Sequence, residues 1–524
     1  MDQVSTSTRL PLRGRLTIAL ALALGLAAAI LAVTLTSSAD ARKPLKQAVQ
    51  TQPNIVLIMT DDQAAHTLTP SSMPTVFKTL MAQGTSFSDY IVTTPLCCPS
   101  RATQLTGQYG HNNGVLVNDY ANLEDPRNVL PAWLQNGGYT TAHLGKFLNG
   151  YERAVKRPAK VAPGWDRWFT QLEKRRYYNW TASLDGKVRR FGFEDEDHLT
   201  DVTTEYAVQW TKELVREDAP FYMQLDYYPP HGAKGRDEGC AGGPVPAPRD
   251  ESVFAAEPLR VPDSFNEADV SDKPSFVRSR PLLDADAVER VTRRYRCTLA
   301  SLRGVDRGIR KVYRQIGRAG ELDNTVFIFS SDNGYLYGEH RVPSGKLLPY
   351  DEVIRMPLVI LVPPALRGNA PQVPVSDAEA ANVDLAPTIL ELAGGLPPCT
   401  AEGLCRTMDG RSLMPLINGG IFPPDRAFLI ELADCSFRGV REAKDVYIEY
   451  GTGQLTVTGE CQPSEVEHYD LANDPAQLDN LYPAERRSDA GATQLRLQQK
   501  MADLRDCAGI VERDPIPASG HYCE

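Results

Sequence analysis

No two of the ten cysteines stand at CxxC spacing, which makes a zinc cluster a poor use for them and leaves disulfides or free thiols. Lysine and arginine form no long block, and acidic residues outnumber basic ones 66 to 56, for a formal net charge of −10. Nothing here marks a nucleic-acid binder. An anionic substrate would have to be drawn in by a few local cations, because the overall field opposes it. With 42% hydrophobic and 23% charged residues, the composition is neither disordered nor fibrous. A chain of 524 residues can devote most of its length to one large α/β sheet and still carry a smaller addition.

The N-terminus reads as an export segment. Arg9, Arg13 and Arg15 precede an apolar run from Leu16 to Thr36, and Ala39-Asp40-Ala41 offers a small-x-small cleavage site. The run is long enough to span a bilayer. Residues 1–41 are therefore a signal peptide or a membrane anchor, residues 42–53 a polar linker, and the remainder lies outside the cytoplasm, secreted or anchored. The cysteines agree with an oxidising compartment. Apart from the adjacent Cys97-Cys98, they suggest Cys399–Cys405, Cys435–Cys461 and Cys507–Cys523 from close spacing, with Cys240 and Cys297 left for each other.

Continuous apolar runs at 54–60, 221–225, 325–329 and 357–362 have the pattern of strands buried on both faces. Helical stretches lie between them, at 283–318 and 384–392, so the chain predicts an α/β sheet covered on both sides. Residues 232–281, rich in Gly, Pro and charge, read as a long surface insertion. The residues just past each strand matter more than the strands themselves. Asp61-Asp62 come after the first, Pro229-Pro230-His231 after the second, and Asp332-Asn333 after the third. Ligands in open α/β sheets bind beyond the carboxyl ends of strands, where such residues converge. Taken singly, each would read as a turn former or helix cap.

The most specific segment is Cys97-Cys98-Pro99-Ser100-Arg101, followed by Ala-Thr-Gln-Leu-Thr-Gly107. Further patterns are Gly138-Tyr-Thr-Thr-Ala-His-Leu-Gly-Lys146-Phe-Leu148, Asp332-Asn333-Gly-Tyr-Leu-Tyr-Gly-Glu-His340 and Glu467-His-Tyr-Asp-Leu471. Together, from about residue 54 to 483, these resemble the formylglycine-dependent sulfatases, whose first signature cysteine is oxidised to formylglycine. The resemblance implies an alkaline-phosphatase-like domain over 54–424, a mostly parallel sheet flanked by helices, and a small α+β domain over 425–524. It also implies a formylglycine-generating enzyme as a partner during maturation.

The chemistry fits the resemblance. Asp61, Asp62, Asp332 and Asn333 would form an all-oxygen set suited to a hard cation, calcium in preference to magnesium. A soft thiol is a poor partner for such an ion, whereas an aldehyde hydrate at Cys97 would place one hydroxyl on the metal and leave the other to expel product. By the same resemblance Arg101 would hold that hydrate, Lys146 and Lys346 would contact the sulfate, and His231 would sit near the leaving oxygen. His340 would touch substrate or cap a turn. Many sulfatases carry His where Leu148 stands; Leu there, Cys-Cys-Pro-Ser-Arg, Tyr109-Gly-His111-Asn-Asn113 and Gly145-Lys-Phe-Leu-Asn149 resemble the branch acting on 6-sulfated N-acetylglucosamine. The expected substrate is thus a sulfated glycan, with an aryl sulfate as the broader reading. The rivals are a phosphonate or phosphodiester hydrolase on the same fold and a non-catalytic glycan-binding protein with Cys97 unmodified.

Overall fold

The computed structural model describes residues 52–524, apart from 156–158, 173–175, 234–239, 369, 372, 424–425, 434–435, 456–460 and 483–490. The export segment, nearly all of the linker, the boundary at 424/425 and Cys435 lie outside the described residues. Gln50–Glu524 form one compact unit. Among the described residues no helix is long and apolar enough to cross a membrane.

In chain order the strands are β1 (Asn54–Thr60), β2 (Thr85–Phe87), β3 (Tyr90–Ile91), β4 (Thr140–Gly145), β5 (Arg167–Gln171), β6 (Trp180–Leu184), β7 (Lys187–Phe191), β8 (Phe221–Asp226), β9 (Thr325–Ser331), β10 (Leu358–Leu361), β11 (Val375–Ser376) and β12 (Ala380–Ala381). Ten of them form the large sheet, in the order β11-β2-β10-β9-β1-β8-β4-β5-β6-β7. The five central strands, β9 to β5, are parallel, so their carboxyl ends open on one edge. The runs read as doubly buried are so: every residue of β1, β8, β9 and β10 is buried.

Alternation along β1 divides the core. Ile55 and Leu57 pack with Cys98, Leu105 and the helix Leu385–Leu392 on one face. Val56 and Ile58 pack on the other with the helices Leu199–Leu214 and Ala285–Ala319. The longer helix begins where the Asp284 side chain accepts from the Ala287 amide, and ends at Gly320, which takes the left-handed conformation (φ 78°) that favours glycine.

A second, antiparallel sheet is made of β13 (Phe428–Leu432), β14 (Phe437–Arg441), β15 (Asp445–Leu455) and β16 (Cys461–Asp470) in that order. The helix Ala492–Leu504 covers it through Leu497, Met501 and Leu504. Buried Glu467 on β16 accepts the hydroxyls of Tyr350, Tyr450 and Tyr469, joining this sheet to the segment after β9. The bridges Cys240–Cys297, Cys399–Cys405 and Cys507–Cys523 form as expected, and Cys97 and Cys98 join no disulfide among the described residues.

The segment 232–281 lies largely at the surface, as read, but several of its residues are buried. Apart from the four-residue helix Ser275–Arg278 its described residues are coil and turn, and Ser264, Glu267, Val270 and Lys273 are buried. Its buried charges Lys273 and Glu267 are partnered inside the molecule: Lys273 pairs with Glu267 at 3.2 Å, and Glu267 meets His340 at 2.7 Å. Composition alone could not reveal those partners.

Candidate active site

The carboxyl ends of four adjacent strands, and one helix start, build the cluster. Asp61 and Asp62 follow β1, Lys146 follows β4, Asp226 ends β8, and Asp332 and Asn333 follow β9. Cys97 opens the helix Cys97–Thr106, and Arg101 lies one turn along it. The positive end of that helix therefore faces the acidic residues. Two backbone positions make the approach possible. Asp62 adopts φ 66°. Gly145 has φ 106°, and a Cβ there would stand 1.9 Å from the Asp226 carbonyl oxygen, so only glycine lets β4 and β8 close up at this edge.

Cys97 Sγ lies 2.7 Å from Lys346 Nζ, 3.4 Å from Asp61 Oδ1 and 3.9 Å from Asp62 Oδ1. Lys146 pairs with Asp61, and Lys346 pairs with Asp62. Asp62 also takes an Asn333 amide hydrogen bond at 2.7 Å, and its own backbone N–H donates to Asp332 Oδ1 at 3.1 Å. Arg101 donates from Nε to Asp332 Oδ2 at 2.8 Å and from Nη1 to the Lys146 carbonyl at 3.0 Å. His231 turns Nε2 toward Asp62 Oδ2 at 3.7 Å, while its Nδ1 lies 2.9 Å from both the Tyr228 hydroxyl and the Gly232 carbonyl.

Burial and charge compete here. Burial pushes the Cys97 thiol up to about 12, with Asp61 adding to the effect and the two lysines opposing it, so as a thiol it is neutral. Burial also raises Asp61 and Asp62, but the cations outweigh it and both carboxyls fall below their ordinary value. Lys146 and Lys346 are raised: burial opposes their charge, and the carboxylates beside them more than restore it. His231 is lowered, chiefly by burial. Lys346 is 14% and His231 15% exposed at the side chain, against 2% for Lys146 and 0% for Asp61, which places those two on the open side.

Ligand atoms of Asp61, Asp62, Cys97 and His231 all lie within 4.8 Å of one another, close enough for one ion to touch several of them. Asp61 and Asp62 are buried and repel each other, a repulsion that a divalent cation would remove. Two of these four donors are carboxylate oxygens, and Asp332 and Asn333 beside Asp62 would add further oxygens, so the residues fit a hard cation. Asp332 and Asn333, expected in the same set, reach the group through their hydrogen bonds to Asp62. His231 stands closer than that expectation placed it.

The expected residues thus converge, with one exception. His340 is fully buried, stacked on Tyr350 with ring centroids 4.1 Å apart and held by Glu267. Among the described residues no hydrogen bond or ion pair joins it to the cluster, so the turn-forming alternative fits it better than substrate contact. Leu148 is 1% exposed in the core beside Phe147 and Tyr151. Sequence reasoning passed over Asp226, His143 and Tyr228. The one available signal for Asp226 was its position at the carboxyl end of a buried run.

Next to His340, Glu339 makes the site's surroundings sensitive to pH. Burial, reinforced by Glu352, pushes its carboxyl up from 4.5 to about 7. The folded state therefore holds a proton that the unfolded state releases near 4.5. No penalty applies below that value, it grows as pH rises towards 7, and it is complete above, at most about 3 kcal/mol. Melting temperatures measured across this window should fall more steeply for the native chain than for Glu339→Gln; parallel curves would assign the proton elsewhere.

A sequence profile of the Sulfatase family matches residues 53–396, and one for the N-sulphoglucosamine sulphohydrolase C-terminal region matches 338–507. An arylsulfatase of Volvox carteri is 32% identical over 508 residues, covering 88% of this chain and 76% of that protein. An N-acetylglucosamine-6-sulfatase of Capra hircus is 27% identical, covering 88% of this chain and 85% of its own length. Among solved structures, one in complex with its substrate D-glucosamine-2-N,6-O-disulfate superposes with a TM-score of 0.68 at 22% identity, over 86% of this chain and 97% of the other. That last likeness concerns the fold.

Proposed function

The chain belongs to the sulfatase family of sulfuric ester hydrolases, and from that premise we propose that it removes the 6-O-sulfate of N-acetylglucosamine-type glycans with a nucleophile made from Cys97. The observation that carries the chemistry is the placing of Cys97 among Lys346, Asp61 and Asp62, with Lys146 and Arg101 behind them. A formylglycine made from Cys97 would supply two geminal hydroxyls, one to attack sulfur and one to release sulfate, and a divalent cation held by Asp61, Asp62, Asp332 and Asn333, calcium by preference, would favour the ionised hydroxyl.

The side chains divide the remaining work. Lys146 and Lys346 set positive charge where a sulfuryl group would gain charge in the transition state. Arg101 has a buried Nη2 with no hydrogen-bond partner among the described residues, placed to hold a hydroxyl at position 97. His231 is fixed through Nδ1, so Nε2 is the nitrogen that faces the reacting group, and it would protonate the leaving alkoxide from the imidazolium form, which Asp61 and Asp62 favour against burial. The N-terminal apolar run and the three disulfides support export of the enzyme to an oxidising compartment.

The substrate rests on narrower ground: the likeness to the Capra hircus enzyme and Leu148 within the core, where many sulfatases place His. One comparison of rates tests it. With the purified protein, kcat/KM for N-acetylglucosamine 6-sulfate should exceed that for a 2-O-sulfated uronate and for a phosphonate monoester by more than ~10-fold. Preference for the uronate would leave the family and remove the substrate. Preference for the phosphonate would move the enzyme to the rival chemistry, and equal rates on simple aryl sulfates would favour broad arylsulfatase action.

A further inference from the structure

Asp226 stands behind the cluster, 1% exposed, at the point where β8 lies between β1 and β4. One of its oxygens is firmly held. Oδ2 accepts from Gln224 Nε2 at 2.9 Å and lies 3.0 Å from His143 Nε2. A carboxylate oxygen can only accept, so His143 donates from Nε2 and its Nδ1 accepts from the Thr170 hydroxyl at 2.8 Å. The ring is fully buried and wedged against Phe147, Trp165 and Trp168. Asp226 cannot swing away while this chain of contacts holds.

The other oxygen, Oδ1, has no hydrogen bond among the described residues and faces Arg101 Nη1 at 3.4 Å. The guanidinium is thereby drawn two ways. Its Nε donates to Asp332 Oδ2, while Nη1 is directed to the Lys146 carbonyl and Asp226. Arginine beside a lone carboxylate ordinarily takes both oxygens in a fork. Here it takes one, and Asp332 Oδ1 is left to the Asp62 backbone.

We propose that Asp226 is a positioning residue, fixed by His143, that divides the Arg101 guanidinium and so keeps Asp332 available to a divalent cation. The role rests on the proposed membership of Asp332 in the cation site. Without the Asp226 charge, Arg101 would turn its Nε–Nη2 side fully onto Asp332 and compete with the ion for both oxygens. The role is exerted through Arg101, not by contact with substrate.

The test is calcium binding to the purified full chain, measured by titration calorimetry, with kcat followed against calcium concentration. Asp226→Asn, near in shape and uncharged, should raise the calcium dissociation constant by ~10-fold or more, and saturating calcium should restore most of kcat. His143→Gln, which can still donate to Oδ2, should stay near wild type, while His143→Leu should shift the isotherm in the direction of Asp226→Asn. A folded Asp226→Asn variant with the native dissociation constant overturns the proposal, as does a loss of kcat that calcium does not restore. Should Asp226→Asn fail to fold, the His143→Leu isotherm decides, and an unchanged constant is refutation. If the native chain itself binds no divalent cation, the cation-site reading falls, and the positioning role with it.

Discussion

Replacing Cys97 by Ser should yield an enzyme that releases at most one alcohol per molecule and then stops. Serine is similar in size to cysteine, so the buried position should still fill. Its one hydroxyl would lie beside Lys346 and the Asp61–Asp62 pair, placed to attack sulfur. In that step the bond from sulfur to the substrate oxygen breaks, a bond from sulfur to the introduced serine forms, and the proton passes to the leaving alkoxide. The resulting ester has no second hydroxyl on the same carbon, so sulfate cannot be expelled by forming a carbonyl. Water would have to attack sulfur directly, with no base or metal position of its own. Rapid-quench kinetics should show a burst without turnover, and mass spectrometry should find a sulfate-sized addition on the peptide carrying position 97. Cys97→Ala should show neither. Steady turnover by the serine variant at the native rate would end the aldehyde-hydrate mechanism for this protein.

Asp61→Asn, Asp62→Asn and Asp332→Asn should each lower bound divalent cation and turnover together, with activity falling by more than ~100-fold. Neutralising Asp61 or Asp62 also strips Lys146 or Lys346 of its partner, and an unpaired buried charge costs about 3–5 kcal/mol of stability. Thermal melting must therefore accompany the metal analysis. Asp332→Asn carries the same confound, because that carboxylate pairs with buried Arg101, although Asp226 stays beside the guanidinium. Were that variant to keep both its cation and its rate, Asp332 would not belong to the metal set.

The central sheet was legible because doubly buried parallel strands need uninterrupted apolar runs, and those at 54–60, 221–225 and 325–329 found their places within two residues. Most of the site was legible for a related reason. Residues just past such strands must meet at one edge, so Asp61, Asp62, His231, Asp332 and Asn333 could be brought together without coordinates. The parts that stayed hidden depended on partners far away in sequence. His340 sits in a family motif beside the site, yet its neighbour is Glu267, within a stretch whose composition suggested a surface loop. His143 and Asp226 occupy strand positions where a polar residue looks like an interruption, and only the pairing of β4 with β8 shows that they face each other. His111 and Asn112 read as a branch marker. They hold Glu431, Asp409 and the Cys507 carbonyl, anchoring the turn after the Cys97 helix to the second sheet.

The place of β1 at the middle of the sheet sets an order of events during synthesis. Its two neighbours are β8 and β9, through Tyr222 and Val326 opposite Ile55, and both are translated long after the segment 54–101 has left the ribosome. Until they arrive, the strand has no edge to join and the helix bearing Cys97 has no sheet to cover. Non-local pairing of this kind is slow to form. If Cys97 is converted as proposed, an enzyme that must reach its side chain, 1% exposed once folded, would find it open only before the sheet closes. The wait for β8 and β9 works as a clock, and it runs out when the sheet closes.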